Sequence, residues 1–376
     1  MGFSYNVAMA ADLVQHWEKL LHATLLGAIP WLQWFVFSII DFLTSPFTGI
    51  RTRSYWPELV ASLIIAAALY IVRSQPGDCS LRGLWRYWFP SAMWRHKSTW
   101  VDFQIIVLNN FFANSFMVTW RFNAALMTTT FLAVLVHVFG PAPHCLAWTP
   151  VMLVLYTILV AMADDLGYFI FHLASHRIGW LWAFHKVHHS AETLTVLANV
   201  RTHPVEYAIT EPCKAITTSL VLAPAIYLGT GHATLVDVLG MNLMAAFYCV
   251  LGTQLHHSHV WLSWGKVLSH VLISPAQHQI HHSSAPRHWN RNMGGNFAFW
   301  DWICGTLYVP EGHEEISFGL GAGQPQPYSN ALMAYALPFW EITPEAIRQR
   351  IRRLLRGKLT LSVRVREQPM ATEPPS

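Results

Sequence analysis

Apolar residues run along this chain in long blocks separated by short polar or basic stretches, not in the one-faced stripes of a water-soluble domain. About 20 apolar residues in a helix cross the hydrocarbon core of a bilayer. Six blocks are candidates on that measure: residues 20–43, 56–73, 124–140, 146–170, 207–228 and 233–254. A further apolar stretch, 101–120, carries Asp102, Asn109, Asn110 and Asn114. Such groups are costly in lipid, so this stretch reads as re-entrant or interfacial. The fourth block continues unbroken toward His176. A helix over 146–176 is about 45 Å long, enough to span a membrane and project its last turns into water. The pattern predicts an all-α fold, a polytopic membrane helical bundle.

Beyond residue 310 the pattern changes. "GAGQPQPYSN" is a turn-rich connector. "TPEAIRQRIRRLL" offers Thr343 as an N-cap and Pro344 at the first helical position. Ile347, Ile351, Leu354 and Leu355 then share a face among arginines, the design of a helix lying on a membrane surface. The tail from Glu367 reads as disordered.

Composition agrees with a membrane location. Of 376 residues 53% are hydrophobic and 12% charged, mean hydropathy is +0.32, and 18 residues are Trp. A soluble domain carries about 25% charged residues. The net charge of +4 is small, and the basic C-terminal segment reads as a membrane-facing tail, not a nucleic-acid arm. Arg82, Arg86, Arg95 and Lys97 place the 74–98 loop on the cytoplasmic side. Six spans, with 101–120 not crossing, bring both termini and all the histidine motifs to that side. Arg51 and Arg53 are the exception, falling outside. Five scattered cysteines make no metal or disulfide pattern and read as free thiols, and no cleaved signal peptide is visible.

The chemistry lies in the histidines, most of which fall between residues 172 and 288. "FHLASHR" sets His172 and His176 at i, i+4, on one helical face. "HKVHH" sets His185 against His188 and His189, and "HQIHH" repeats that spacing with His278, His281 and His282. Neutral imidazole is the common ligand of transition metals. A lone HxxxH is often only an interfacial pair, but one HxxxH with two HxxHH is hard to read so. Eight imidazoles exceed the four ligands of one zinc and suit two metals. Asp165 lies seven residues before His172, near the same face, where a carboxylate can receive the outer N–H of a ligating imidazole. His16, His22, His96, His137, His144, His232 and His313 have no partner at ligand spacing and read as structural. "WDW" around Asp301 reads as packing.

"DLGYFIFHLASHRIGWLWAFHKVHHSAETL", "RTHPVE", "SPAQHQIHH" and "NMGGNFAFWDWICGTLY" together resemble the fatty acid hydroxylase/sterol desaturase superfamily of integral-membrane, histidine-ligated di-iron oxygenases. The resemblance is strong over about 160–310. Leu173 stands where that family often has Arg, and Met293 where it often has Tyr. The resemblance implies two irons, O₂, a lipid substrate among membrane lipids, and electrons from a separate donor such as a ferredoxin or a cytochrome b5-like protein with its reductase. The product would be an alcohol or an alkene. It implies outer roles for Arg201 and His203 of "RTHPVE", with His203 a candidate tenth ligand. In "QLHHSHV", helical spacing favours His256 with His259, whereas the resemblance favours His257.

These readings divide the chain into an N-terminal membrane region (1–123), a hydroxylase-like catalytic domain (124–310) ending in a cytoplasmic histidine-rich di-metal cap, and a C-terminal basic helix and tail (311–376). Two other functions compete. A histidine-rich metal transporter would want ionisable residues within its spans. A bis-histidine haem electron carrier would want histidines facing each other across helices inside the membrane.

Overall fold

The computed structural model describes residues 56–75, 78–115, 124–230, 237–238, 241–321 and 326–356. The span expected over 20–43, His16, His22, His232 and the tail from Glu367 lie outside these. The described chain is helical apart from one two-residue antiparallel pairing, Asp237–Val238 with Met241–Asn242. We number the principal helices α1 (Trp56–Arg73), α2 (Leu81–Trp88), α3 (Lys97–Ser115), α4 (Ala124–Phe139), α5 (Pro150–Arg177), α6 (Gly179–His189), α7 (Pro204–Leu228), α8 (Leu243–Leu251), α9 (Pro275–His281), α10 (Phe299–Cys304), α11 (Ala331–Ile342) and α12 (Glu345–Arg356).

Helix α5 is the axis of the molecule. Among the described residues it is the one helix long and apolar enough to cross a membrane. It begins at Pro150, not at 146, because Thr149 accepts the Met152 N–H at 3.3 Å and Pro150 suits the first turn. Leu146 instead pairs with the far end of α7, exchanging backbone bonds with Leu228 and Thr230 at 2.8 Å each. The 28 residues of α5 extend about 42 Å, then a single residue, Ile178, turns the chain into α6.

Helix α7 packs along α5, and α4 packs along α7. Helix α7 comes close at Gly167, where a Cβ would lie 2.6 Å from Lys214 Cα and 2.8 Å from Cys213 O. Backbone cannot yield as a flexible side chain does. Gly167→Leu is therefore expected to cost about 1–3 kcal/mol of stability through overpacking. Thermal unfolding in detergent checks this, with Gly179→Ala, which meets nothing within 4 Å, unchanged.

Residues 101–115 of the stretch read as re-entrant or interfacial belong to one continuous helix, α3, in which Asp102 and Asn109 face protein partners; 116–120 lie outside the described residues. Asp102 is fully buried against Arg201 at 2.6 Å. Asn109 donates to the Val200 and Thr202 carbonyls and accepts the Tyr335 hydroxyl. Of the span expected over 233–254, the described helical part is α8, 243–251. Thr343, expected to cap α12, instead donates its hydroxyl to Phe339 O at 2.7 Å, and the helix starts with Arg348 N on Pro344 O.

Candidate metal centre

At the C-terminal end of α5 the described residues bring nine histidines into two groups. His172, His176, His185, His189 and His281 form the first; His188, His257, His278 and His282 form the second. Within each group the ligand-capable nitrogens lie within 4.8 Å of one another. The spacing of the boxes explains this division. Residues four apart on a helix are offset by only about 40°, while residues three apart fall about 60° to the other side. In α6, His185 and His189 enter the first group and His188 the second. In α9 the outer pair, His278 and His282, enters the second group and His281 the first. Each HxxHH box thus serves both groups, and His189 stacks on His282 at 4.7 Å where they meet.

Imidazole nitrogens crowd each other here. His257 Nε2 lies 3.2, 3.1 and 3.2 Å from the Nε2 atoms of His188, His282 and His278, and His278 and His282 are 3.2 Å apart. The His257, His278 and His282 nitrogens form a triangle with edges of 3.1–3.2 Å, and a point just off its plane lies about 2.0 Å from each, the length of a metal–imidazole bond. His172 Nε2, His176 Nε2 and His281 Nε2 are buried without a hydrogen-bond partner. Buried polar nitrogens aimed at one another are costly in a metal-free core. A cation shared among them removes that cost, so the donor set fits two transition-metal ions.

Protonation is set from outside the groups. His185 Nδ1 donates to Glu206 Oε1 at 2.7 Å, His172 Nδ1 to Met293 O at 2.7 Å, His281 Nδ1 to Arg291 O at 2.8 Å and His188 Nδ1 to Arg201 O at 3.2 Å. A proton held on Nδ1 leaves the Nε2 lone pair facing inward. Burial pushes His281 down to about 3, with His185 beside it adding to the effect. His189, His278 and His282 also lie well below the ordinary histidine value, through burial and then their neighbouring imidazoles. For these four imidazoles burial favours the neutral, ligating form.

Residues 157–306, which contain both groups, match the family model for fatty acid hydroxylase. Over these residues the chain resembles the fatty acid hydroxylases. It is 26% identical over 166 residues to alkylglycerol monooxygenase of Xenopus tropicalis, covering 43% of this chain and 32% of that one. An ornithine lipid hydroxylase of Rhizobium tropici is 27% identical over 164 residues, covering 43% and 45%. Human cholesterol 25-hydroxylase is 26% identical over 174 residues, covering 42% and 53%. The chain therefore spans about a third to a half of the length of these relatives. No solved structure matches.

Within residues 157–306, several side chains sit where the sequence did not place them. Asp165 does not meet His172, whose acceptor is the Met293 carbonyl. Its buried carboxylate takes the Asn296 and Phe297 N–H groups, the Asn296 amide and the Trp300 indole. His203 joins neither group. Its Nδ1 caps α7 by accepting the Val205 N–H at 3.1 Å, and its Nε2 meets Tyr335 O. Asp301 is more than packing: it takes the Met293 and Gly294 N–H groups at 2.7 Å each and the Thr306 hydroxyl. Glu206 was visible only as part of "RTHPVE". His256 stacks on His278 at 5.0 Å and His259 packs edge-on to Tyr87, both outside the groups. Asp164 pairs with Lys214 at 3.1 Å. His96, His137, His144 and His313 also lie outside the groups.

Arg201 ties the centre together. Its side chain is completely buried. Nη1 holds Asp102 of α3, Nε holds Val187 O of α6, and Nη2 holds the Ser190 hydroxyl. Its own carbonyl receives His188. Helix α11 closes the same side, through Lys186 paired with Glu341 and Phe184 packed on Phe339 at 5.1 Å.

Proposed function

We propose that this protein is an O₂-dependent, membrane-bound oxidoreductase that hydroxylates, or desaturates, a C–H bond of a lipid. Its nine grouped histidines would hold two irons. The observation that carries the reading is the pair of imidazole groups inside the stretch that resembles the fatty acid hydroxylases. Two irons held there would supply O₂ activation for oxidising an unactivated C–H bond. The chain's own part is to present neutral imidazoles, to keep water from them by burial, and to lead an apolar chain toward them. The first half of α5 supplies apolar surroundings before the ligand-bearing turns. Ile158, Ala161 and Met162 pack with Met244, Leu251, Leu272 and Phe297, one turn or more before the first ligand-bearing turn.

Relatives named for alkylglycerols, an ornithine lipid and cholesterol share an extended apolar body, and a lipid is the substrate class proposed here. Electrons would come from a separate ferredoxin or cytochrome b5-like donor. The catalytic unit would be 124–310, with the histidine end and both termini on the cytoplasmic side. A haem carrier is disfavoured. Two imidazoles on opposite sides of one iron stand about 4 Å apart, nitrogen to nitrogen, whereas these nitrogens approach to 3.1–3.2 Å with rings crossing.

Lipid extracts from cells with and without the gene test the proposal by mass spectrometry. A species heavier by one oxygen atom, or lighter by two hydrogens, is expected under air. It should vanish anaerobically or with an iron chelator. A product that persists under both conditions contradicts the reading.

A further inference from the structure

The two histidine groups are not built alike. In the first, His172 and His281 each donate outward to a carbonyl of one short loop, Met293 O and Arg291 O. His176, from α5, has the Asn290 side chain of that loop within hydrogen-bonding reach. His185 is held by Glu206. Three of five imidazoles therefore have their rings held by hydrogen bonds from outside, two of them by Arg291 and Met293, and Asn290 stands beside a fourth. In the second group His188 has the Arg201 carbonyl, but His278 Nδ1 and His282 Nδ1 are buried with no hydrogen-bond partner.

The loop is shaped for this task. Asn290 and Asn292 both adopt positive φ, 57° and 55°, a left-handed conformation that non-glycine residues other than Asn and Asp rarely take. Asn292 is locked by donating to Gln277 O at 3.0 Å and accepting Tyr308 N–H at 2.7 Å. Asp301 gathers Met293 N and Gly294 N, turning the Met293 carbonyl toward His172. Asp165 pins the next residues, Asn296 and Phe297. A Cβ at Gly294 would lie 2.4 Å from Phe297 O, so the turn admits no larger residue there.

We propose that residues 290–294 form a positioning loop that pre-forms the first histidine group, making it the tighter and first-filled of two unequal metal sites. This rests on reading the two groups as metal sites. A pre-oriented ligand set loses less side-chain freedom on binding, and loss of an outer hydrogen-bond partner typically weakens metal binding about 10–100-fold. Asn290→Gly is the informative substitution. Glycine accepts φ of 57° without strain, so the backbone carbonyls stay in place while the side chain at His176 is removed.

The test is a titration of the purified, metal-stripped full chain with Co(II), followed by the visible absorption of histidine-bound cobalt and by equilibrium dialysis. The wild type is expected to fill in two resolved phases. Asn290→Gly should weaken the tighter phase about 10–100-fold and leave the weaker one in place. Asp301→Asn should act in the same direction, while the exposed Trp289→Phe should match the wild type. Two equal sites in the wild type, or an Asn290→Gly titration that overlays it, would overturn the inference but leave the metal-site reading standing. A wild type that takes up no metal would overturn both.

Discussion

His257→Ala is expected to purify with one metal fewer per chain and to lose product formation, by more than the roughly 10–100-fold that follows loss of an outer partner. The second group has only four imidazoles, and His257 is the one whose Nε2 lies 3.1–3.2 Å from all three others. Three ligands remain after the substitution, and the metal must complete its shell with water. His256→Phe is the matched control. His256 lies in the same 3₁₀ turn and stacks on His278 with an interplanar angle of 19°, but it belongs to neither group. Phenylalanine keeps the stacked ring, so metal content and product should stay near wild type. Iron analysis of the two purified variants decides the matter. If His256→Phe strips metal while His257→Ala keeps two, the second group has been assigned to the wrong residue.

Arg201→Met is expected to destabilise the folded chain by roughly 3–5 kcal/mol, the usual consequence of leaving one partner of a buried pair without its counter-charge. Both Asp102 and Arg201 have completely buried side chains. Methionine leaves the Asp102 carboxylate in an apolar interior and removes the donors to Ser98 O, Val187 O and Ser190 Oγ. The double variant Asp102→Leu with Arg201→Met should recover part of the loss, because no charge then remains to be desolvated. It should not recover all of it, since the guanidinium bonds to Ser98 O, Val187 O and Ser190 Oγ stay lost. Denaturant unfolding in detergent measures both. A single variant as stable as the wild type would mean that the pair is not buried as described.

How much of this was legible in the sequence follows from the range of each interaction. The helical class came from blocks of apolar residues, and α5 and α7 begin where Pro150 and Pro204 allow. The histidine boxes were visible because i, i+4 spacing within a single helix is local information. What spacing did not give was the choice between His256, His257 and His259, since that turn is 3₁₀ and follows Gly252 in a left-handed conformation. The outer partners were hidden for a different reason. Met293, Arg291 and Arg201 hold the imidazoles through backbone carbonyls, which any residue carries. Asp102 and Arg201 are 99 positions apart, and nothing in either neighbourhood announces the other. Asp165 was picked out for its helical distance from His172, yet its carboxylate reaches the loop 131 residues away.

The most direct test of the central claim is the metal content of the purified wild-type chain, measured together with its visible absorption. The account predicts about two irons per chain and no Soret band. A Soret band, or protein that is active on lipid with no bound iron, would contradict it.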